Sequence, residues 1–213
     1  MSIEITKSYK AYKKSPFKSI KHSSYFPVYD HLFGPYTGKE ITFVEIGILG
    51  GGSLYMWREF FGKKARIIGI ELNPAAKRWE KEGFEIYIGS QSDPEFWEYF
   101  KNEVGDIDIV LDDGGHTYKQ QIITVENILP NIKDNGLIVV EDTHTSYMSD
   151  FGGPSQYSFV EYAKNVVDGV NFRFAKFLNK KHEKSIFSVT FLESFVVFHI
   201  NRELSAIESH PTK

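Results

Sequence analysis

The stretch Phe43–Leu54, FVEIGILGGGSL, constrains this chain more than any other. Phe43, Val44 and Ile46, with the acid Glu45 among them, lead into four glycines within six positions: Gly47, Gly50, Gly51 and Gly52. Ser53 and Leu54 then open the run SLYMWREFF. The pattern predicts a buried strand, a tight turn and a helix start. Glycine serves where the backbone needs positive φ or must approach a ligand with no Cβ in the way. The N–H groups of a helix start favour an anionic or strongly polar partner. The stretch therefore points to a nucleotide or nucleoside cofactor, with Gly47, Gly50, Gly51 and Ser53 at the site. Its spacing is Glu45-x-Gly47-x-x-Gly50-Gly51, not the G-x-G-x-x-G of dinucleotide-binding turns. A purely structural turn would need one glycine, not four.

From here a repeating pattern runs along the chain. Apolar strands are predicted at Ile41–Ile46, Arg66–Ile70, Phe84–Ile88, Ile107–Leu111 and Leu137–Val140, the last after a turn at Asp134-Asn135-Gly136. Helices are predicted at Ser53–Phe61, Pro74–Lys81, Asp93–Lys101 (with Ser92 or Asp93 as N-cap) and Tyr118–Ile128, which Pro130 ends. Near-continuous apolar strands alternating with helices imply a parallel sheet covered on both faces. Past Tyr147, MSDFGGPSQY reads as a long loop and Ser158–Val167 as a helix. Asn171–Phe177 reads as a strand, and Ile186–Leu192 with Phe195–Ile200 as an antiparallel hairpin. The division expected is an N-terminal segment (1–39), a cofactor-binding domain (40–200) and a polar, frayed tail (201–213). The N-terminal segment, with Lys7, Lys10, Lys13, Lys14, Lys18 and Lys21, reads as a solvated lead-in with one short helix, Val28–Phe33, packing on the domain. The alternative is a cover over the site.

Composition excludes several classes. A net charge of −3 gives no global basic field for nucleic acid. The absence of Cys removes disulfides and thiolate metal sites. No apolar run has the length of a membrane span, and a cytoplasmic protein is expected. The 18 Phe, 12 Tyr and 3 Trp suit a core, a substrate groove or a subunit contact, so a homo-oligomer is compatible.

The residues with chemistry gather after the strands. Glu71, 26 residues after Glu45, is placed to accept hydrogen bonds from two ribose hydroxyls. Ser90 and Gln91 follow the third strand and offer donors and acceptors to a base edge. Asp112-Asp113-Gly114-Gly115-His116 follows the fourth strand, and Glu141-Asp142 the fifth. Four carboxylates in a small volume repel unless a cation or proton compensates. A hard divalent ion such as Mg²⁺ meets that need, with Asp113, Glu141 and Asp142 as ligands. Asp112, on the opposite side of its strand, would face the cofactor. His116 is the candidate general base, since an imidazole exchanges protons near neutral pH. A non-haem iron site of His116, His144 and a carboxylate lacks an H-x-D/E pair, and zinc hydrolase ligation has no better support.

Taken together, VEIGILGGGSL, GIELNP, IGSQSD, LDDGGH and VVEDTHTSY resemble the class I S-adenosylmethionine-dependent methyltransferases. More narrowly they resemble the metal-dependent sugar O-methyltransferases, a group with the macrocin, mycinamicin and rhamnosyl O-methyltransferases and proteins labelled cephalosporin hydroxylase. The resemblance runs roughly from Phe17 to Ile200 and is specific from Phe43 to Tyr147. It implies a Rossmann-like, doubly wound α/β sheet, mostly parallel, with a C-terminal antiparallel hairpin. It implies that Glu45 and Gly47 hold the methionine end of S-adenosylmethionine, Glu71 its ribose, and that Gln91 lies near its adenine. It implies Mg²⁺ on Asp113, Glu141 and Asp142, with His116 taking the proton of a sugar or glycan hydroxyl in natural-product or glycan biosynthesis. Ser90 stands where the group often has an acid. Two other readings are an NAD-dependent oxidoreductase and a non-catalytic binding module on the same fold. The first leaves the glycine spacing and the acidic cluster unexplained.

Overall fold

The structure, a computed structural model, describes residues 3–171 and 184–206. The chain divides into two compact units, Met1–Ser90 and Gln91–Lys213.

The first unit begins with helices α1 (Lys7–Lys14) and α2 (Tyr25–Phe33). The predicted single helix at Val28–Phe33 is thus part of a longer one, and a second helix precedes it. Asp30 of α2 accepts from the N–H groups of Lys7 and Ser8, satisfying donors that a helix start leaves open. Tyr25, Phe26, Tyr29 and Phe33 are buried, so the lead-in supplies core rather than a solvated run. Strand β1 (Thr42–Ile46) is buried throughout and is followed by α3 (Gly52–Phe61). Strands β2 (Arg66–Glu71) and β3 (Glu85–Ile88) add in parallel, with Val44 opposite Ile68 and Gly69 opposite Ile86. Between them Pro74–Glu82 forms a 3₁₀ helix rather than the α-helix predicted over most of it.

The second unit holds α4 (Pro94–Val104), β4 (Ile107–Asp112), α5 (Tyr118–Ile128), β5 (Ile132–Val140) and α6 (Phe159–Val170). Asp93 caps α4, and Thr117 with Gln120 forms a capping box on α5. β4 and β5 pair in parallel, while β6 (Ile186–Leu192) and β7 (Phe195–Ile200) form the predicted antiparallel hairpin, β7 lying against β5. The turn predicted at 134–136 lies inside β5 as an irregularity. The register steps from Ile132 opposite Ile107 to Leu137 opposite Ile109, and Asn135 takes φ of 66°. Of the strand expected at 171–177, only Asn171 is described, as the C-cap of α6; the rest lies outside the described residues. No helix among the described residues is long and apolar enough to cross a membrane.

The start of the expected frayed tail is ordered as α7 (Arg202–Ala206). Arg202 donates from its guanidinium to the carbonyls of Leu129 and Ile132 and to Asp134, whose carboxyl is held below the usual carboxylate range first by the Arg202 backbone N–H and then by the Glu203 N–H and the guanidinium. Arg202→Ala should therefore lower stability by about 1–2 kcal/mol in urea denaturation, the effect of losing several carbonyl partners at once.

Candidate functional site

The glycine turn lies in the first unit. Gly47 has φ of 84° and donates its N–H to the carbonyl of Ile70 at 2.9 Å, which carries the chain off the end of β1. Gly51 has φ of 80° as N-cap of α3, and any Cβ there would run into the indole of Trp79. Gly50 shows neither a positive φ nor a close neighbour. Glu45 is fully buried, and Ser53 donates its hydroxyl to Glu45 Oε2 at 2.6 Å, so that hydroxyl faces inward. Glu71 accepts from the N–H of Leu49 on Oε2 and from the N–H groups of Leu72 and Asn73 on Oε1. A carboxylate offers about four lone-pair positions, so these bonds leave Glu71 about one for a ligand. Glu71 therefore also braces the glycine turn.

The acids after β4 and β5 lie in the second unit. Asp112 is buried, and burial raises its pKa. Hydrogen bonds from Gln91, the Gly114 N–H and Thr124 work against that rise. Gln91 Nε2 lies 3.1 Å from both Asp112 oxygens and 3.0 Å from Thr124 Oγ1, and its Oε1 accepts from the Gly115 N–H. The amide expected to meet a base edge is thus committed inside the fold, where it fixes the loop after β4. Ser90, the last residue of the first unit, is partly exposed.

Beyond that loop, Asp113, His116 and Asp142 each offer a ligand atom within 4.8 Å of the others. His116 Nε2 stands 3.6 Å from Asp142 Oδ2 and 4.0 Å from Asp113 Oδ1, with side chains 24%, 19% and 19% exposed. These spacings are too long for hydrogen bonds and leave room for an atom between the groups. His116 and Asp142 both sit in the left-handed region, at φ of 58° and 57°. Thr145 Oγ1 holds both, 2.9 Å from the His116 carbonyl and 2.8 Å from that of Asp142. His144 Nδ1 lies 3.9 Å from Asp142 Oδ1 and 3.0 Å from Ser194 Oγ. Among the described residues His116 Nδ1 has no hydrogen-bond partner, so the ring is oriented by its packing, with Phe151 6.4 Å away. Glu141 is buried beside the cluster in sequence, its N–H on the Asp112 carbonyl, but does not join the mutually close group. The two carboxylates, with the imidazole beside them, fit a hard divalent cation, which takes oxygen ligands. Sequence reasoning missed Thr145 and Gln121, whose amide donates to the Glu141 carbonyl. Their partners are backbone carbonyls brought near by the fold, which no local pattern marks.

Residues 44–143 match a family model described as a methyltransferase domain. Among curated proteins, it is 31% identical to the 8-demethyl-8-alpha-L-rhamnosyl tetracenomycin-C 2'-O-methyltransferase of Streptomyces olivaceus, over 70% of this chain and 41% of that protein. It is 34% identical to the demethylmacrocin O-methyltransferase of Streptomyces fradiae, over 61% of this chain and 34% of that protein. The chain thus spans well under half the length of these relatives. Among solved structures, the MycE methyltransferase from the mycinamycin biosynthetic pathway, in complex with Mg, SAH and mycinamycin VI, superposes with a TM-score of 0.83. That match covers 97% of this chain and 56% of the other at 23% identity, and shows the fold. The chain therefore has the expected Rossmann-like α/β architecture, mostly parallel with a C-terminal antiparallel hairpin.

Proposed function

We propose that this chain is an S-adenosylmethionine-dependent O-methyltransferase that uses Mg²⁺ and acts on a sugar hydroxyl of a glycoside. The observation that carries the reading is the cluster of Asp113, His116 and Asp142, in which Nε2 faces two carboxylates without bonding to either. Asp113 and Asp142 would hold the cation, with waters completing its shell, while Glu141 stays outside the group. Mg²⁺ bound there supplies a Lewis acid that lowers the pKa of a hydroxyl. His116 Nε2 takes the hydroxyl proton, as an unprotonated imidazole can near neutral pH. The methyl on a sulfonium is already activated, so the remaining task of the protein is alignment. Glu45 and Gly47 face the methionine end and the open position of Glu71 takes a ribose hydroxyl, while Gln91 acts by fixing the Asp112–Gly115 loop. The names of the relatives, a rhamnosyl tetracenomycin-C 2'-O-methyltransferase and a demethylmacrocin O-methyltransferase, support the acceptor class.

The loop after β5 shapes the acceptor side. A cavity of about 390 Å³ lies between α5, α6 and residues 156–158, lined by Tyr118, Ile122, Ile123, Tyr157 and Tyr162. Tyr118 also packs on Gly152, close to Phe151 and so to His116.

Calorimetric titration should give saturable binding of S-adenosylmethionine and none of NADH. Turnover on a rhamnosyl glycoside should need Mg²⁺ and stop with EDTA. Binding of NADH in place of S-adenosylmethionine would overturn the reading in favour of an oxidoreductase. Cofactor binding with no Mg²⁺-dependent turnover on any sugar acceptor would favour the binding module.

A further inference from the structure

Lys21 has no part in that mechanism. It comes from the basic lead-in, yet its side chain is 2% exposed, and its Nζ stands 3.7 Å from Oε1 of Glu45, which is 0% exposed. The route of the chain explains how it gets there. Ser15 Oγ donates within reach of the Gly52 and Phe17 carbonyls. The backbone of Phe17 and Lys18 lies so close to Gly52 that a Cβ there would clash. The Phe17 ring packs on Trp79, the same indole that covers Gly51. Residues 15–21 are thereby laid on the first turn of α3, and Lys21, passing the Tyr29 ring at 5.7 Å, reaches the end of β1 beneath the glycine turn.

A buried ion pair is a poor device for pinning one segment to another, because apolar residues of the same volume do as well or better. What it offers is one ammonium and one carboxylate side by side, the complement of an α-amino acid zwitterion. Such a ligand places its ammonium on Glu45 and its carboxylate on Lys21, and the site stays neutral overall. S-adenosylmethionine ends in this group. We propose that Lys21 binds the carboxylate of the cofactor's methionine end, with Glu45 on the ammonium. The proposal rests on the S-adenosylmethionine reading above.

The test compares S-adenosylmethionine with its decarboxylated form, which keeps nucleoside, sulfonium and ammonium and lacks only the carboxylate. Both are titrated calorimetrically into the full chain. The wild type should bind S-adenosylmethionine about 10- to 100-fold more tightly, the size of a charge-assisted contact. Lys21→Gln should lose that margin and leave the affinity for the decarboxylated ligand within about 2-fold. Should Lys21→Gln not fold, Lys21→Met combined with Glu45→Gln leaves no uncompensated buried charge and should likewise lose the margin. Equal affinities in the wild type overturn the proposal. So does a variant that weakens both ligands equally, which marks Lys21 as a structural pin. If neither adenosyl ligand binds the folded wild type, the methyltransferase reading itself fails and the proposal falls with it.

Discussion

Asp142→Asn should lower Mg²⁺-dependent turnover about 1000-fold while S-adenosylmethionine affinity changes by less than about 3-fold. Asparagine is the substitution to make because Asp142 sits at φ of 57°, a conformation that Asn shares and Ala resists. The side-chain shape and the bond from Thr145 to the Asp142 carbonyl both survive, so the change removes a charge and little else. With one carboxylate gone, a bound cation would lose an oxygen ligand and would acidify the acceptor hydroxyl less. Raised Mg²⁺ should recover some of the lost rate. His116→Asn, at φ of 58°, should instead cost about 10²–10⁴-fold in kcat and show no recovery with added Mg²⁺, because it removes the proton acceptor and leaves the carboxylates. The difference between the two variants in Mg²⁺ dependence separates ligand from base. Full turnover in both would end the assignment of this cluster as the reactive centre.

Much of that centre was legible because the sheet sorts residues by position. Buried parallel strands must be apolar, so an acid just past one, as at Asp112-Asp113 or Glu141-Asp142, stands out against its run. His116 follows within one turn, and the capping box of Thr117 and Gln120 fixes where α5 starts. The hairpin at the C-terminus was legible from two apolar runs around Glu193-Ser194, and Ser194 takes the φ of 64° that such a turn needs. What stayed hidden depends on tertiary partners. Lys21 looks like any other lysine in a basic lead-in until the backbone of Phe17 and Lys18 is seen against Gly52. Gln91 follows a strand as a ligand-binding residue would, and only its contacts with Asp112, Thr124 and Gly115 show that its amide is internal. Asp134-Asn135-Gly136 has turn chemistry, and the fold uses it as an irregularity within β5.

The helix expected at Val28–Phe33 packs on the domain over a longer span than its lysine-rich surroundings mark, and Trp57 provides the largest test of that packing. Trp57→Ala should destabilise the protein by about 4 kcal/mol in urea or thermal unfolding. The side chain is fully buried, and its ring lies 5.1 Å from Tyr29, 5.5 Å from Phe33 and 5.0 Å from Phe43, with Phe60 and Phe61 beside it. It therefore joins α2, β1 and α3, and a cavity there would loosen all three. Area is not the whole account, since the indole Nε1 is buried with no hydrogen-bond partner among the described residues. A donor left so is itself unfavourable. Trp57→Phe removes that donor along with part of the ring, and the two effects oppose each other. Its cost should be about 1 kcal/mol or less. The ratio between the variants carries the argument: a loss under about 1 kcal/mol in Trp57→Ala would mean that α2 does not hold against α3 through this residue. In that case the lead-in would be the solvated run its lysines suggest, and the delivery of Lys21 to Glu45 would lose its support. A loss near 4 kcal/mol makes residues 25–33 part of the core that sets the glycine turn.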